Sequence, residues 1–257
     1  MRQAMTHTQH ALNIQQYQDK SHNYLNSPVH AQGAEFDKIK QLIEAHKLAH
    51  ILDLGCGGGH VSYQVAPVAT SVIAYDITPT MTEVVASQAK TRGLTNITTQ
   101  IGTAEKLPFA DHQFDAIITR YSAHHWQNVP QALFEMHRAL ADDGKVVIVD
   151  VLGNSNPVLN NFLQTIETIR DPSHVKDYSL AEWLYFAEIT GFCVATVEMQ
   201  KLALNFDSWV ARMHTADTSI QVIRALQKNC AASVRQYFEI DDTGNFSTDV
   251  IYLVLSK

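Results

Sequence analysis

The sequence lacks the patterns of membrane and nucleic-acid-binding proteins. No apolar run approaches the ~18 residues that a membrane span needs, and the first twenty residues hold no apolar segment of signal-peptide length. Lysine and arginine form no cluster, and the formal net charge is −7, which argues against a nucleic-acid backbone as partner. We therefore expect a cytoplasmic protein that acts on a small molecule, with no nucleic acid and no integral membrane contact.

Cysteine is scarce as well. Cys56, Cys193 and Cys230 lie far apart and have no CxxC spacing, which indicates free thiols in a reducing compartment rather than a disulfide framework. The adjacent histidines at 124 and 125 do not easily bind one ion, and no third ligand has helical or hairpin spacing to them. We therefore predict no metal site.

The chain does have a regular alternation of short apolar runs and amphipathic segments as far as residue 152. Phe36, Ile39 and Ile43, for example, recur at helical spacing before the first apolar run. The predicted strands are 50–54, 71–77, 96–102, 114–120 and 144–152. Apolar strands that alternate with helices predict a parallel sheet covered on both faces.

Beyond residue 152 the pattern becomes mainly helical. Ser179 and Glu182 form a capping-box pattern at the start of one helix, and Gly191 provides its stop. Further helices are predicted at 157–171 and over most of 205–240, and two more strands at 192–199 and 246–257. No low-complexity linker or repeat appears, so we expect a single domain over 1–257, with an N-terminal arm at 1–33, a core at 34–152 and a later part at 153–257.

The segment ILDLGCGGGHVSYQVA, residues 51–66, places four glycines between an apolar run and a helix. Gly55, Gly57, Gly58 and Gly59 have no Cβ atom, so the backbone can take a positive φ and a ligand can lie directly on amide groups. In open parallel sheets, ligands bind outside the carboxyl ends of the strands. The loop is therefore predicted to bind a ligand.

The spacing of the glycines limits the class of ligand that the loop can bind. A triphosphate loop requires GxxxxGK[ST], and no lysine follows these glycines. A dinucleotide loop requires GxGxxG, and His60 stands at the third glycine, which weakens the case for NAD without removing it. Asp76, at the end of the second strand, is placed to accept both ribose hydroxyls of an adenosine. That acid suits NAD and other adenosine cofactors equally.

Three motifs in order carry a family resemblance: LDLGCGGG with Asp76, then GTAEKLPFADHQFDAIITRYSAHHW, then HRALADDGKVVIVDV. The chain resembles the class I S-adenosylmethionine-dependent methyltransferases, and is most similar to the group around the ubiquinone and menaquinone biosynthesis C-methyltransferases and their YafE-type relatives. The resemblance is strong over about 45–152 and weaker up to the end of the chain. It implies an α/β, Rossmann-like open sheet of seven strands, mostly parallel with an antiparallel last strand and with helices on both faces.

The resemblance also implies S-adenosyl-L-methionine as cofactor and S-adenosyl-L-homocysteine as product. In the family, the acid that matches Asp53 and the loop glycines surround the methionine part, and the acid that matches Asp76 takes the ribose. Many members have an aspartate at the position of Thr103, so adenine contacts rest on the Thr103 hydroxyl, the Ala104 main chain or Glu105. The predicted cofactor-binding residues are Asp53, Gly55, Cys56, Gly57, Asp76, Ile77, Thr103, Ala104, Glu105 and Arg120.

The segment RYSAHHW, residues 120–126, follows the fourth strand, where the transferred methyl group would lie. His124 and His125 follow Tyr121 at the carboxyl end of a strand. Neutral histidine near pH 7 suits the removal of a proton from a phenol or a carbon acid. We predict these three side chains as candidate catalytic residues. A structural role is the alternative, because the chain has 13 histidines.

Aromatic side chains outside the predicted strands suggest a lid of apolar groups over the site. Tyr17 and Tyr24 lie in the arm, and Trp183, Phe206 and Trp209 lie in the later part. Core packing is the alternative for the two tryptophans.

A polar segment, RDPSHVKDY, connects two of the later helices. Its residues Arg170, Asp171 and His174 either contact the substrate or serve turn and capping chemistry at the Asp-Pro step.

Three functions remain open from the sequence. The first and favoured one is methyl transfer to a small-molecule acceptor. A nicotinamide-dependent oxidoreductase is disfavoured by His60 and by the lack of a second mononucleotide half. The third is a cofactor-binding module without catalysis. The acceptor atom, whether carbon, oxygen or nitrogen, is not specified by any motif, and a homodimer is compatible with the pattern.

Overall fold

The computed structural model describes residues 8–21, 25 and 31–257. Seven strands form one sheet in the order β3-β2-β1-β4-β5-β7-β6. Every pairing among β1 to β5 is parallel, whereas β7 is antiparallel to both β5 and β6. The strands are β1 His50–Leu54, β2 Ser71–Asp76, β3 Ile97–Ile101, β4 Phe114–Arg120, β5 Leu140–Val151, β6 Cys193–Leu204 and β7 Phe246–Ser256. The predicted fold class, including the antiparallel last strand, is confirmed.

Helices cover both faces of the sheet. In the described ranges they are α1 Gln9–Tyr17, α2 Glu35–His46, α3 His60–Val65, α4 Pro79–Thr91, α5 Val129–Ala139, α6 Pro157–Arg170, α7 Leu180–Ile189, α8 Phe206–Arg212, α9 Asp217–Asn229 and α10 Ala232–Tyr237. None of these helices is long and apolar enough to cross a membrane.

Side chains that alternate along the central strands build the two faces of the core. Leu52 and Ile117 pack against α5 and α7, whereas their neighbours Ile51 and Ile118 pack against α2 and α3 on the other side. This separation follows from the two-residue period of a strand, which turns successive side chains to opposite faces. Because both faces are buried, the strands read in the sequence as unbroken apolar runs.

The later helices form a core of their own. Side chains of α6, α8, α9 and α10 pack with the ends of β6 and β7 around Trp209, Phe238 and Phe246. The prediction that 205–240 is mostly helical is confirmed, and the structure divides it into three helices. The chain breaks between α8 and α9, where His214 has a φ of 53°, and again at Cys230. The predicted strand at 192–199 is too short, since β6 pairs with β7 as far as Leu204.

The strand predicted at 144–152 also begins earlier than expected. β5 starts at Leu140, which pairs with Phe114, and the register then shifts before Lys145 pairs with Ala116. The irregularity lies in the polar sequence ADDG. Because this sequence interrupts the apolar run, the start of the strand could not be predicted from apolar residues.

Candidate active site

The carboxyl ends of β1, β2, β3 and β4 surround one cavity of about 930 Å³, part of it open to solvent. Because β2 and β4 lie on either side of β1, this is the point where the strand order reverses and where open α/β sheets bind ligands. All ten predicted cofactor-binding residues line the cavity, as do Tyr121 and His125. The sequence motifs therefore converge in space, although their individual roles stay predictions.

The glycines of the loop after β1 serve different purposes. Gly55, Gly57 and Gly59 have positive φ angles of 74°, 49° and 83°. A Cβ atom on Gly55 would lie 1.9 Å from Ser122 Oγ, whereas one on Gly57 would meet nothing within 4 Å. Gly55 is thus required by protein packing, and Gly57 leaves an empty space on the wall of the cavity.

The amide groups of this loop mostly point to protein acceptors. The N–H groups of Gly55 and Cys56 both donate to the Tyr75 carbonyl, at 2.8 and 3.0 Å, and Gly57 N–H donates to Asp76 Oδ2 at 2.9 Å. The expectation that a ligand lies on bare amides is therefore wrong for these three groups. The loop offers space and a carboxylate rather than a row of donors.

Two buried carboxyl groups lie at the end of the cavity formed by β1 and β2. Asp53 Oδ2 accepts from Ser62 N and Ser62 Oγ, at 2.9 and 2.6 Å. Burial raises the pKa of Asp53 to about 7, against the opposing effect of those hydrogen bonds. Burial also raises the pKa of Asp76, whose Oδ1 accepts from Thr78 N at 2.8 Å. Buried carboxyls with raised pKa values favour a ligand that brings positive charge.

The side of the cavity predicted for adenine is built by the segment after β3. Thr103 and Ala104 line it, and the Thr103 carbonyl accepts from the Tyr75 hydroxyl at 3.2 Å. Glu105 Oε1 accepts from the N–H groups of Gln127 and Asn128, at 2.9 and 3.3 Å. The Glu105 carboxylate thus holds the turn before α5, and no sequence pattern indicated this role.

Arg120 lies in a buried ion pair that sequence reasoning missed. Its NH2 group is 2.7 Å from Glu35 Oε1, and both side chains are only 3% exposed. The guanidinium also stacks between the rings of Phe36 and Tyr121. Because an unpaired buried charge is costly, Glu35 fixes Arg120 at the edge of the cavity.

Helix α1, which belongs to the predicted arm, covers the cofactor cavity from outside. His10, Asn13 and Tyr17 on α1 line the cavity. Gln9 Nε2 donates to the Ser173 carbonyl at 2.7 Å, and Gln18 at the end of α1 accepts from Thr80 Oγ1 at 2.8 Å. α1 is therefore attached on both sides of the opening. Tyr24, the other tyrosine predicted for the arm, lies outside the described residues.

If the arm closes over bound cofactor, S-adenosylhomocysteine should slow amide hydrogen exchange in α1. At a ligand concentration 100 times Kd, exchange that requires release of ligand should slow by about 100-fold. Exchange measured by mass spectrometry in α9, which does not line the cavity, is the internal control. Unchanged exchange in α1 at saturation would make the arm a plain extension.

Three histidines cluster beside the cavity. The ring of His124 lies 4.2 Å from that of His125 and 5.7 Å from that of His174. Burial opposes a charge on His124, but Asp150, 2.5 Å away, raises the pKa of His124 to about 9. Burial and the charge of His124 lower the pKa of His125 to about 4. At neutral pH, His124 is therefore cationic and His125 neutral.

His125 is connected to the arm and to the polar segment after α6. The Tyr17 hydroxyl lies 2.7 Å from His125 Nε2 and donates to Asp171 Oδ2 at 2.9 Å. Asp171 also accepts from Ser173 N and Oγ, so its predicted turn chemistry is confirmed. Among the residues that the structure describes, no group of His, Cys, Asp or Glu is arranged to hold a metal ion.

The predicted lid aromatics of the later part lie mainly in the core. Trp183 is 1% exposed and packs in the core next to α5, and Phe206 is equally buried in the core of the later helices. Neither lines the cofactor cavity, so core packing is the correct interpretation for Trp183. Trp209 is buried as well, but it also forms a wall of a second cavity.

This second cavity, of about 530 Å³, lies next to the first. Tyr17 and Tyr121 line both cavities, and Tyr121 adopts a φ of 53°, which is unusual for a residue with a side chain. The other residues around it are His124, Val151, Glu167, Arg170, Asp177, Leu202, Leu204, Trp209 and Arg212. Predicted catalytic residues thus divide between the cavities, with His125 in the first and His124 in the second.

Comparisons with known proteins agree with this geometry. A family model described as a methyltransferase domain matches residues 52–148. YafE of Escherichia coli is 42% identical over 203 residues, which cover 79% of this chain and 98% of YafE. The methyltransferase YcgJ of Bacillus subtilis is 36% identical over 79% of this chain and 81% of its own length. In a structural alignment at 31% identity, the crystal structure of YcgJ covers 86% of this chain and 97% of its own, with a TM-score of 0.83.

The fold and the cavity at its switch point define a Rossmann-like, cofactor-binding protein. With these relatives, the chain belongs to the class I S-adenosylmethionine-dependent methyltransferases, and its cofactor is S-adenosylmethionine. The ubiquinone/menaquinone C-methyltransferase UbiE of Citrifermentans bemidjiense is 33% identical over 115 residues, which cover 43% of this chain and 49% of UbiE. The chain therefore matches only about half of that enzyme.

Proposed function

We propose that this protein transfers a methyl group to a small-molecule acceptor bound in the second cavity. The observation that carries the proposal is that two adjacent cavities share Tyr17 and Tyr121. One cavity lies at the switch point, where the cofactor of this fold binds, and the other is bounded by the later helices. An acceptor in the second cavity would meet the cofactor at the shared tyrosines.

The residues of the first cavity fit S-adenosylmethionine. The empty space at Gly57 leaves room for a ligand against the backbone, and Asp76 offers a carboxylate of the kind that binds a ribose diol. Asp53, whose pKa burial raises to about 7, favours the positive charge of the methionine part. When bound, S-adenosylmethionine supplies a methyl group that is already activated as a sulfonium.

The protein has two tasks in such a reaction. It aligns the acceptor with the methyl group, and alignment alone can account for much of the rate. An acceptor that holds a proton must also lose it. Tyr17 lies at the boundary of the cavities, with its hydroxyl 2.9 Å from Asp171 Oδ2 and 2.7 Å from His125 Nε2. When the hydroxyl proton turns from Asp171 to His125, the acceptor proton can pass to the Tyr17 oxygen while the Tyr17 proton passes to His125 Nε2.

The UbiE relatives do not identify the acceptor. The match to UbiE of Citrifermentans bemidjiense covers 43% of this chain and 49% of UbiE, which is too little to carry its acceptor over to the residues of the second cavity. Quinone methylation, as named for those relatives, therefore receives no support from the residues around the second cavity.

Calorimetry on the purified protein tests the cofactor assignment. S-adenosylhomocysteine should bind, and NAD should bind more weakly or not at all. Gly57→Ala places a methyl group in the cavity and should weaken S-adenosylhomocysteine binding, because a Cβ there occupies space intended for ligand. Gly93→Ala is the matched control, since Gly93 has a φ of 70° and equally open surroundings but does not line the cavity.

Equal weakening by both substitutions would show that backbone strain rather than ligand space is responsible. Tighter binding of NAD would restore the oxidoreductase hypothesis. Incubation of metabolite extracts with S-adenosylmethionine that carries a labelled methyl group then identifies the acceptor, and binding without any labelled product would indicate a module without catalysis.

A further inference from the structure

The second cavity is lined by three basic side chains and two acidic ones. Arg170 and Arg212 contribute guanidinium groups, and His124 contributes an imidazole paired with Asp150. The carboxylate of Glu167 lies 3.1 Å from Arg170 NH1. Asp150 thus balances His124 and Glu167 balances Arg170, while Arg212 and Asp177 complete the charged lining.

Asp177 is the unusual member of this lining. It is 1% exposed, and its Oδ2 is buried without a hydrogen-bond partner among the described residues. Its nearest basic atom, His174 Nε2, lies 3.8 Å away, and His174 Nε2 instead contacts Gln164 Oε1 at 3.0 Å. Burial, assisted by the nearby Glu167, raises the pKa of Asp177 well above its ordinary value. Burial thus favours the neutral carboxyl, and its Oδ2 can hydrogen-bond to a ligand in the cavity, since none of the described residues uses this atom.

The opposite part of the cavity is apolar. Val151, Leu202 and Leu204 line it together with the ring of Trp209. Arg170 lies over that ring, with its guanidinium carbon 4.8 Å from the ring centre, and Arg170 Nε donates to the Trp209 carbonyl at 3.0 Å. The guanidinium is therefore held in a fixed position beside an apolar wall, which suits a ligand with a planar or aliphatic body and one anionic end.

We propose that the methyl acceptor is a small organic acid, with a carboxylate that binds between Arg170, Arg212 and Asp177 and an apolar body that lies against Leu202, Leu204 and Trp209. A carboxylate fits this set because it accepts from guanidinium groups and from a carboxyl in which burial favours the neutral form. A neutral acceptor would bring no negative charge to the two guanidinium groups, and an amine would add positive charge beside them. This inference rests on the proposed function, since the second cavity is taken as the acceptor site.

The test uses the full chain saturated with S-adenosylhomocysteine and three probes of similar size: benzoate, benzamide and benzylamine. Binding is followed by ligand-detected NMR titration. Benzoate should bind at least about tenfold more tightly than either other probe, because hydrogen bonds to charged groups are worth more than neutral ones. Arg212→Gln should weaken benzoate binding by about tenfold or more and leave benzamide binding unchanged.

Two further variants keep the result interpretable. Arg224→Gln removes an exposed guanidinium on α9 that pairs with Asp207 outside the cavity, and should change benzoate binding by less than about twofold, because exposed charges are screened. Arg170→Lys keeps the charge and loses the planar fork, and should weaken benzoate binding less than Arg212→Gln does. Melting temperatures show whether each variant is folded.

Equal binding of benzoate and benzamide, preference for benzylamine, no benzoate binding at millimolar concentration, or unchanged benzoate binding in folded Arg212→Gln would each overturn the assignment of an organic acid. Failure of the proposed function is a separate result. In that case the unmodified protein would bind no S-adenosylhomocysteine in the absence of any probe, or would transfer no labelled methyl group to any metabolite.

Discussion

Replacing His125 by alanine should lower kcat by about 10²- to 10⁴-fold on an acceptor that must lose a proton, which is the usual contribution of a general base. The Kd of S-adenosylhomocysteine should change little, because the residues assigned to methionine, ribose and adenine are Asp53, Asp76 and those after β3. His125 is preferred to His124 as base because its pKa is lowered to about 4, whereas that of His124 is raised to about 9. Of these two histidines, His125 is the one that is unprotonated at neutral pH.

The pH dependence separates a base from a positioning group. With a pKa of about 4, His125 stays neutral from pH 5 upwards, so its own titration should not affect kcat of the unmodified protein in that range. The defect of His125→Ala should shrink as pH approaches the ionisation of the acceptor, since an acceptor that is already ionised needs no base. A defect that is constant with pH would assign His125 to positioning.

Two further variants test the path of the proton. Tyr17→Phe should reproduce much of the His125→Ala defect, and the double variant should be no worse than the more damaged single variant, because groups that act as a unit are not additive. His137→Ala is the control, since His137 lies against Phe192 and lines neither cavity. Full activity in His125→Ala would exclude His125 from proton transfer, and full activity in Tyr17→Phe would exclude Tyr17.

Much of the fold could be predicted because its helices and strands are specified by residues that lie close together in the sequence. Apolar runs such as 114–120 are visible in the chain because both faces of the sheet are buried. The capping box of Ser179 and Glu182 appears as predicted at the start of α7, because it depends on residues three positions apart. The predicted boundaries were wrong where pairing with a distant segment extends a strand. An example is β6, whose full length is set by its pairing with β7.

The residues predicted to bind cofactor could be found in the sequence because each lies near the carboxyl end of a strand of the parallel sheet or in the loop that follows it. Contacts between distant segments could not. Tyr17 contacts Asp171, 154 positions away in the sequence, and Arg120 contacts Glu35, 85 positions away. The periodicity of the sequence does not predict such pairs. The opposite pKa shifts of His124 and His125 likewise depend on Asp150 and on the burial of both rings. Neither can be predicted from the two adjacent histidines in the sequence.

Asp76→Ala should weaken the binding of S-adenosylhomocysteine by about ten- to a hundredfold, because a charge-assisted contact is typically worth ~1.5 to 3 kcal/mol. Asp76 lines the cavity at the end of β2. Its Oδ1 accepts from the Thr78 amide and its Oδ2 from the Gly57 amide, and the Thr78 side chain and the Ile77 amide also contribute hydrogen bonds. These bonds fix the carboxylate at the wall of the cavity, where a ribose hydroxyl can donate to it. Calorimetry with the variant and the unmodified protein measures the loss.

Loss of affinity in Asp76→Ala has a second possible cause, because the substitution also removes the acceptor of Gly57 N–H and can disturb the glycine loop. An analogue of S-adenosylhomocysteine without the ribose 2′-hydroxyl separates the two. If Asp76 binds the diol, the unmodified protein should bind the analogue about tenfold more weakly than S-adenosylhomocysteine, whereas Asp76→Ala should bind both with equal affinity. A variant that still distinguishes the two ligands as strongly as the unmodified protein does would show that the ribose is held elsewhere, and that Asp76 serves the loop alone.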